Sequence, residues 1–289
     1  MVIGVACSHI IWYRFWRLYA CETFPAFWIA LLLNLATFAI APANAKEPLR
    51  LATRIDLPPY VMNTATNGIE VDIIKEIFRE FDQDIIFIQM PRIRMIQMFD
   101  DSKIDGILTQ NSQASNVGCV TNWYLFHQNF AFSLAENNFL IDNLSDLQNY
   151  SIVSFDGAKK YLGSDFTNAV KENPRYLESS DQSVHIELLY KKRFDVVVGD
   201  EWVFWYIQKK YQEKSGVFKQ LNAHHILPPS LYSARFQDPA ICSFFDQALA
   251  MMRKSGRYDE IERKYHEQIL SKDQPRATLP WSPQNSIVN

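Results

Sequence analysis

The chain has 289 residues, with 29 lysines and arginines against 32 aspartates and glutamates, a formal net charge of -3 and 48% hydrophobic residues. This composition is typical of a globular protein with one large or two medium domains, and it excludes the disordered and fibrous classes. The charge balance leaves no excess of basic residues to neutralise a phosphate backbone, so we expect no nucleic-acid partner. The glycines have none of the spacings of the common nucleotide-binding and hydrolase motifs.

The most apolar part of the chain lies near its start. The stretch 24–41 carries no charge, follows Arg14 and Arg17, and runs into the small residues Ala-Asn-Ala at 43–45. A basic start, an apolar run and a small-residue cleavage site are the three features of a secretory signal. We therefore predict that residues 1–45 are a signal peptide, removed on export to the periplasm. An uncleaved membrane anchor is the alternative, because a membrane span needs roughly 17 to 25 residues.

The cysteines and histidines are the candidates for disulfides and metal ligands. Export would leave Cys119 and Cys242 in a compartment that permits disulfides. A bridge between them and a pair of buried free thiols are both compatible with the sequence. No C-x-x-C or H-E-x-x-H motif occurs, and the adjacent His224 and His225 cannot both face one metal on a regular element. We expect neither a metal ion nor a cofactor.

The first part of the exported chain alternates predicted strands and helices. Short apolar runs predict strands at 49–53, 85–88 and 104–108. Apolar residues at helical spacing predict an amphipathic helix that starts near Glu70, and a second helix is predicted at 91–101. An order of strand, helix, strand, helix, strand is typical of a parallel sheet covered by helices.

The same order begins again at Ser151, which indicates a second α/β unit. The predicted elements are strands at 152–155, 175–177 and 194–198, and helices at 158–170 and 183–192. A strand at 231–236 and two amphipathic helices follow. In parallel sheets of this kind ligands bind beyond the carboxyl ends of the strands, so we expect the polar loops that follow the strands to face each other across a crevice.

Several short motifs occur in a characteristic order along the chain. They are the segments 49–53, 58–60, 68–73, 103–107, 143–147, 194–200, 232–235 and 256–261. Over about 48–270 this series resembles the bacterial extracellular solute-binding proteins of family 3, the amino-acid-binding type. The resemblance implies the type II periplasmic-binding-protein fold, an α/β architecture of two lobes. Each lobe is a mostly parallel sheet flanked by helices, and the chain crosses twice between the lobes.

The resemblance also implies a division of the chain. It assigns 46–134 plus 232–270 to lobe 1 and 138–228 to lobe 2, with crossovers near 132–138 and 227–232. Closure about these crossovers would bury a ligand between the lobes. The stretch 271–289 has no hydrophobic period, and we expect a flexible tail.

Candidate ligand-binding residues follow from the same resemblance. Asp200 aligns with the carboxylate that receives the ligand's α-ammonium group, and a solvated helix N-cap is the alternative. Gly157 and Ala158 align with a loop that offers backbone N–H groups to the ligand's carboxylate. Three residues of the first lobe align with polar ligand contacts, namely Thr109, Gln110 and Ser112. A polar surface residue is the alternative for each of them.

The chain departs from the family pattern at the expected carboxylate clamp. Relatives that bind amino acids carry an arginine there, whereas 113–117 contains none. Arg54, at the end of the first predicted strand, could supply the positive charge from another direction, and Arg92 or Arg94 are more distant options. Leu57 stands where an aromatic residue often covers the ligand. We therefore expect a ligand that bears an amine.

These observations predict a monomeric periplasmic solute-binding protein that captures a small, polar, amine-bearing ligand between two lobes. Its partner would be an inner-membrane ABC-type permease or a receptor, and we expect no catalysis. One alternative is a dehydratase-like enzyme on the same scaffold, with Asp156, Asp200 and Glu201 as acid and base. Another is a sensory module of a membrane receptor.

Overall fold

A computed structural model of the chain describes residues 46–111 and 115–269. The predicted signal peptide at 1–45, the predicted tail at 271–289 and the candidate Ser112 lie outside the described residues. Within the described ranges, no helix is both long enough and apolar enough to cross a bilayer.

The first sheet is built on three parallel strands. These are β1 (Leu49–Thr53), β2 (Ile85–Gln89) and β3 (Gly106–Gln110), with β1 in the middle. Two helices connect them, α1 (Ile69–Arg79) and α2 (Arg92–Asp100). Three further strands extend this sheet, namely β4 (Cys119–Val120), β5 (Leu125–His127) and β11 (Ser230–Phe236). β11 pairs antiparallel with β3, β4 and β5.

The strands of the second sheet are β6 (Asn129–Leu134), β7 (Ile152–Phe155), β8 (Tyr176–Ser179), β9 (Val196–Asp200) and β10 (Leu221–His224). Their order in the sheet is β10-β6-β9-β7-β8. Four helices follow its strands, namely α3 (Ala158–Tyr161), α4 (Gly163–Val170), α5 (His185–Tyr190) and α6 (Glu201–Ser215). Two terminal helices, α7 (Pro239–Lys254) and α8 (Arg257–Ile269), pack on α1 of the first sheet. Each sheet with its own helices is a lobe.

Burial on both faces explains the apolar strands of the second lobe. Val196 and Val198 belong to one buried apolar cluster, whereas Val197 belongs to another on the opposite face of the sheet. Successive side chains of a strand point to opposite faces, and helices cover both faces of a parallel sheet. A continuous run of apolar residues is therefore required here, and the predicted α/β class with two lobes is confirmed.

The chain passes between the lobes earlier than the expected 132–138. β5 pairs in the first sheet and β6 pairs in the second, so the first crossing lies at Gln128. The second crossing lies at 225–229, and the Gln128 side-chain amide donates to the Leu227 carbonyl at 3.0 Å, which ties the two crossings together. The segment 129–134, expected in lobe 1, is thus hydrogen-bonded in the second sheet. All its residues are buried, so its apolar pattern does not indicate which sheet it joins.

Two predicted helices differ in detail from the structure. The helix expected at 158–170 is divided into α3 and α4 at Gly163, which has a left-handed φ of 89°. Pro91 precedes α2 as its N-cap rather than lying in its first turn. The long helix α6 was not predicted, because its first half, Glu201–Tyr206, is aromatic and apolar without a helical period.

A disulfide joins the edge of the first sheet to a terminal helix. Cys119 in β4 is bonded to Cys242 in α7, with their Cα atoms 6.3 Å apart and 123 positions between them in the sequence. Of the two possibilities that the sequence left open, the structure has the bridge and not the pair of free thiols.

Candidate ligand-binding site

A cavity of about 230 Å³ lies between the two lobes, beyond the carboxyl ends of the parallel strands. The first lobe lines it with Arg54, Leu57, Arg92, His127, Ser230 and Tyr232. The second lobe lines it with Asn129, Phe155, Asp156, Gly157, Tyr161, Gln182, Asp200 and Val203. This is the position at which open α/β sheets bind their ligands.

The charges of the cavity are separated by lobe. Both lining arginines, Arg54 and Arg92, come from the first lobe, and both lining aspartates, Asp156 and Asp200, come from the second. A molecule held between the lobes therefore faces cations on one side and carboxylates on the other.

Asp200 ends β9 and begins α6, so it has both of the roles considered from the sequence. One carboxylate oxygen accepts the Val203 backbone N–H at 3.0 Å, which caps the helix, and the other accepts the Tyr60 hydroxyl at 3.1 Å. The side chain is buried rather than solvated, with 5% exposed. Burial raises the pKa of Asp200 to about 7, against the lowering effect of these hydrogen bonds. A buried carboxylate of this kind is stabilised by a cationic partner.

Arg54 follows β1 directly and reaches the cavity from the first lobe. Among the residues that the structure describes, none forms an ion pair or a hydrogen bond with its guanidinium group. Its charge acts on the buried Glu70 carboxyl. Burial raises the pKa of Glu70, and the Arg54 charge lowers it by a smaller amount. A guanidinium group that has no partner among the described residues and lines a cavity is suited to bind a carboxylate.

Arg92 begins α2 and also lines the cavity. Its guanidinium donates to the Asn111 side-chain oxygen at 3.0 Å and lies 5.1 Å from the centre of the Tyr161 ring, across the gap in the second lobe. Arg94, considered from the sequence together with Arg92, is exposed and does not line the cavity.

His127 is a lining residue that sequence reasoning missed. Its ring stacks on Tyr60 at a centroid distance of 4.2 Å and tilts against Tyr232 at 4.7 Å. Burial and the charge of Arg54 lower the pKa of His127 to about 3, so the imidazole is neutral at pH 7. Its Nε2 atom has no hydrogen-bond partner among the described residues.

Gly157 lines the cavity as expected, but its backbone N–H is already engaged. It donates to Glu178 at 2.8 Å, and the Lys159 N–H donates to the other oxygen of the same carboxylate at 3.0 Å. The loop aligned with the family's carboxylate site is therefore hydrogen-bonded to a carboxylate of the protein itself. Ala158, the other candidate in this loop, is fully buried in the core of the second lobe and does not line the cavity.

Thr109 and Gln110 are not brought to the cavity either. Thr109 has a left-handed φ of 51°, and its hydroxyl donates to Glu70 at 2.6 Å inside the first lobe. Its backbone N–H donates to the Tyr124 hydroxyl at 2.9 Å. Gln110 is 1% exposed, and its side-chain amide donates to the Leu108 carbonyl. Their roles as ligand contacts stay predictions.

Leu57 and Asp156, both named from the sequence, also line the cavity, whereas Asn129, Ser230 and Tyr232 were not identified from the sequence. Asn129 follows the first crossing and pairs with Asp200 in the sheet register, a relation that only the β6–β9 pairing reveals. Ser230 and Tyr232 lie on β11, which returns to the first sheet after the second crossing. Within the described ranges, no group of three or more metal-binding side chains comes together.

Comparison with known proteins places these features in a family. Residues 49–268 match the model of the bacterial extracellular solute-binding proteins, family 3. The L-arginine-binding protein of Pseudomonas aeruginosa is 24% identical over 255 residues, which cover 81% of this chain and 92% of that protein.

Solved structures share the fold at lower identity. The GluR0 ligand-binding core in complex with L-glutamate has a TM-score of 0.60 and 15% identity, covering 75% of this chain and 97% of its own. An ancestral arginine-binding protein bound to arginine has a TM-score of 0.59 and 18% identity, covering 76% and 99%. The family match spans most of the chain, and these relatives are binding proteins. The chain therefore belongs to the bacterial extracellular solute-binding proteins of family 3, and it is a solute-binding protein.

Proposed function

We propose that this protein binds a small zwitterion, with one ammonium and one carboxylate group, in the cavity between its lobes. The observation that carries the proposal is that Arg54 and Asp200 line the same cavity from opposite lobes. The ligand's ammonium group lies at Asp200 and its carboxylate group at Arg54. Closure of the lobes about the two crossings then excludes water from both charge pairs.

The state of Asp200 supports an ammonium ligand. Without a cation beside it, burial holds the pKa of this carboxyl at about 7, so a large part of the population is protonated at neutral pH. An ammonium group in contact with it lowers that pKa and stabilises the charged form. For the ionised fraction of Asp200, the cation relieves the unfavourable burial of an unpaired carboxylate.

The surroundings of Arg54 support a carboxylate at the other end of the ligand. The segment 113–117 has no arginine, and the Gly157 amide is bonded to Glu178. Arg54 and Arg92 are the cationic side chains of the cavity lining. The similarity to an L-arginine-binding protein supports an amino-acid-type ligand as well.

The physiological role follows from the family and from the start of the chain. The protein is exported, loses residues 1–45 and acts in the periplasm as a monomer that delivers its ligand to an ABC-type permease. Cell fractionation tests the first part. The expected result is a soluble periplasmic protein whose first residue is Lys46, whereas full-length protein in the membrane fraction would establish the anchored alternative.

A thermal-shift screen followed by calorimetric titration tests the ligand class, because a ligand that binds the folded state raises its melting temperature. The screen compares amino acids with the corresponding amines, which lack the carboxylate, and with the corresponding acids, which lack the ammonium group. We expect amino acids alone to raise the melting temperature. An amine or an acid that binds as tightly as its parent amino acid contradicts the proposal.

Substitution of Arg54 separates the two ends of the ligand. Arg54→Gln should weaken amino-acid binding by about 30-fold or more, because truncating one partner of a desolvated charge pair costs 2 kcal/mol or more. Binding of the matching amine, weak in the wild type, should stay the same. Arg94→Gln, an exposed arginine on α2, is the matched control and should leave both affinities unchanged.

A further inference from the structure

We propose that Glu178 is a specificity-determining residue that excludes anionic groups from the second-lobe wall of the cavity, so that the ligand carries a single carboxylate. This inference rests on the proposed function and deepens it. Dicarboxylic amino acids would be rejected, and their neutral amides would be accepted.

Glu178 lies behind the cavity wall, hydrogen-bonded to the Gly157 loop. It lies on β8, beside β7, and its register partner is Ser154. One carboxylate oxygen accepts the Gly157 N–H at 2.8 Å, and the other accepts the Lys159 N–H at 3.0 Å and the Tyr176 hydroxyl at 2.8 Å. Because Gly157 lines the cavity, the negative charge sits directly behind the cavity wall.

The hydrogen bonds keep that charge in place at neutral pH. Burial raises the pKa of Glu178, but the two amides, the Tyr176 hydroxyl and the nearby Lys159 outweigh it, so the pKa lies below its ordinary value. The carboxylate is therefore a permanent anion, and it uses the amides that would otherwise be available to an anionic group of a ligand.

The neighbouring side chains reinforce the effect. Asp156 and Asp200 line the same wall, and among the described residues no cationic side chain of the second lobe lines the cavity. Lys159 is exposed, with its ammonium group 5.3 Å from the centre of the Tyr176 ring, outside the cavity lining. A second carboxylate placed against this wall would meet three carboxylates. Like charges brought together in a desolvated site suppress the wrong partner.

L-glutamate and L-glutamine are suitable probes, because they have nearly the same shape and differ in the charge of the side chain. In the wild type we expect L-glutamine to bind at least about tenfold more tightly than L-glutamate. Glu178→Ala removes the charge and releases both amides, so it should shift this ratio towards L-glutamate by about tenfold or more. Glu178→Gln removes the charge and keeps a hydrogen-bond acceptor, so it should give a smaller shift in the same direction.

Asp195→Ala is the matched control. The Asp195 carboxylate also accepts a backbone N–H, from Ser151 at 2.9 Å, but at the opposite ends of the strands. The Asp195→Ala variant should leave the ratio of the L-glutamine and L-glutamate affinities unchanged. Melting temperatures measured on all variants identify any variant that is unfolded. If Glu178→Ala is unfolded, Glu178→Gln serves as the test.

The outcomes separate this inference from the proposed function. An unchanged L-glutamate affinity in both Glu178 variants overturns the inference, as does a wild type that binds both probes equally well. If the wild type binds no zwitterion in the screen, the proposed function fails first. A wild type that binds some amino acid while the ratio stays constant in the Glu178 variants leaves the proposed function standing and removes Glu178 from specificity.

Discussion

The Tyr60 hydroxyl donates a hydrogen bond to the Asp200 carboxylate at 3.1 Å, and this bond crosses from the first lobe to the second. Both residues are buried. Burial raises the pKa of Asp200, whereas the bonds from Val203 and Tyr60 lower it, and the balance is a pKa of about 7. Tyr60 therefore helps to set the fraction of Asp200 that is ionised at neutral pH, which is the fraction able to attract an ammonium group.

The first prediction concerns the Tyr60→Phe variant. Loss of the hydroxyl removes one donor to the charged form, so the pKa of Asp200 rises above 7. An increase of about one unit lowers the affinity for a zwitterion at pH 6 by about tenfold, and at pH 8.5 the affinity approaches that of the wild type. Titration calorimetry from pH 5.5 to 8.5 measures this shift.

Tyr258→Phe is the control, because it removes another buried hydroxyl of the first lobe. It should not move the midpoint of the pH dependence of affinity. A loss of affinity in Tyr60→Phe that is equal at every pH contradicts the explanation.

The second prediction concerns the pH dependence of binding by the wild type. Only ionised Asp200 attracts the ammonium group, so affinity should rise by up to about tenfold per pH unit below pH 7 and level off above it. Binding below pH 7 should also release a proton, which is measured by repeating the calorimetry in buffers of different ionisation enthalpy. Asp200→Asn should bind at least about 30-fold more weakly at pH 8 and show no such slope. A slope that persists in Asp200→Asn would assign the titration to another group.

The third prediction concerns the stability of the unliganded protein. Because the pKa of Asp200 is higher in the folded state than its ordinary value of 3.8, the folded state binds more protons than the unfolded state between about pH 4 and pH 7. The stabilisation by this group is complete below pH 4 and is lost as the pH rises through 7. Asparagine does not titrate, so the free energy of unfolding of Asp200→Asn relative to the wild type should increase with pH by at most about 1.4 kcal/mol per unit.

Urea unfolding at pH 5, 6, 7 and 8 checks this difference. A difference that is constant across these pH values would show that the pKa of Asp200 is close to its ordinary value. Comparison of the two proteins is needed because other groups titrate in the same range. Burial also raises the pKa of Glu262 to about 7 and lowers the pKa of His185 to about 4, and these two effects are common to both proteins. Burial raises the pKa of Glu201 to about 7 as well, but its charge acts on Asp200, so the coupling between these two groups is part of the measured difference.

The sequence predicted the parts of the site that local patterns determine. β1 and β9 are short apolar runs, and the residues that follow parallel strands meet at one edge of a sheet. Arg54 and Asp200 could therefore be expected in one crevice, and the structure places both in the lining of one cavity. The same reasoning placed Gly157 there, because it follows β7.

The residues that were missed depend on relations between distant segments. Glu178 lies within a weak strand, and only the parallel register of β7 and β8 brings it to the Gly157 loop. His127 reaches the cavity because β5 pairs with β11, a pairing of segments about a hundred residues apart. Thr109 lies near the end of β3, yet its left-handed backbone turns the side chain towards Glu70. No hydrophobic period encodes a register or a single backbone angle.

The last prediction concerns the Cys119–Cys242 disulfide. It closes a long loop of the chain, so removing it with Cys119→Ala and Cys242→Ala together should lower the free energy of unfolding by about 2 to 5 kcal/mol. A reducing agent should lower the stability of the wild type by a similar amount and leave that of the double variant unchanged, as measured by urea unfolding.

Neither cysteine lines the cavity, so the affinity of the folded double variant for its zwitterion should match that of the wild type. A wild type whose stability is insensitive to reduction would mean that the two thiols are free in solution, and weaker binding by the double variant would mean that β4 and α7 influence the distant cavity.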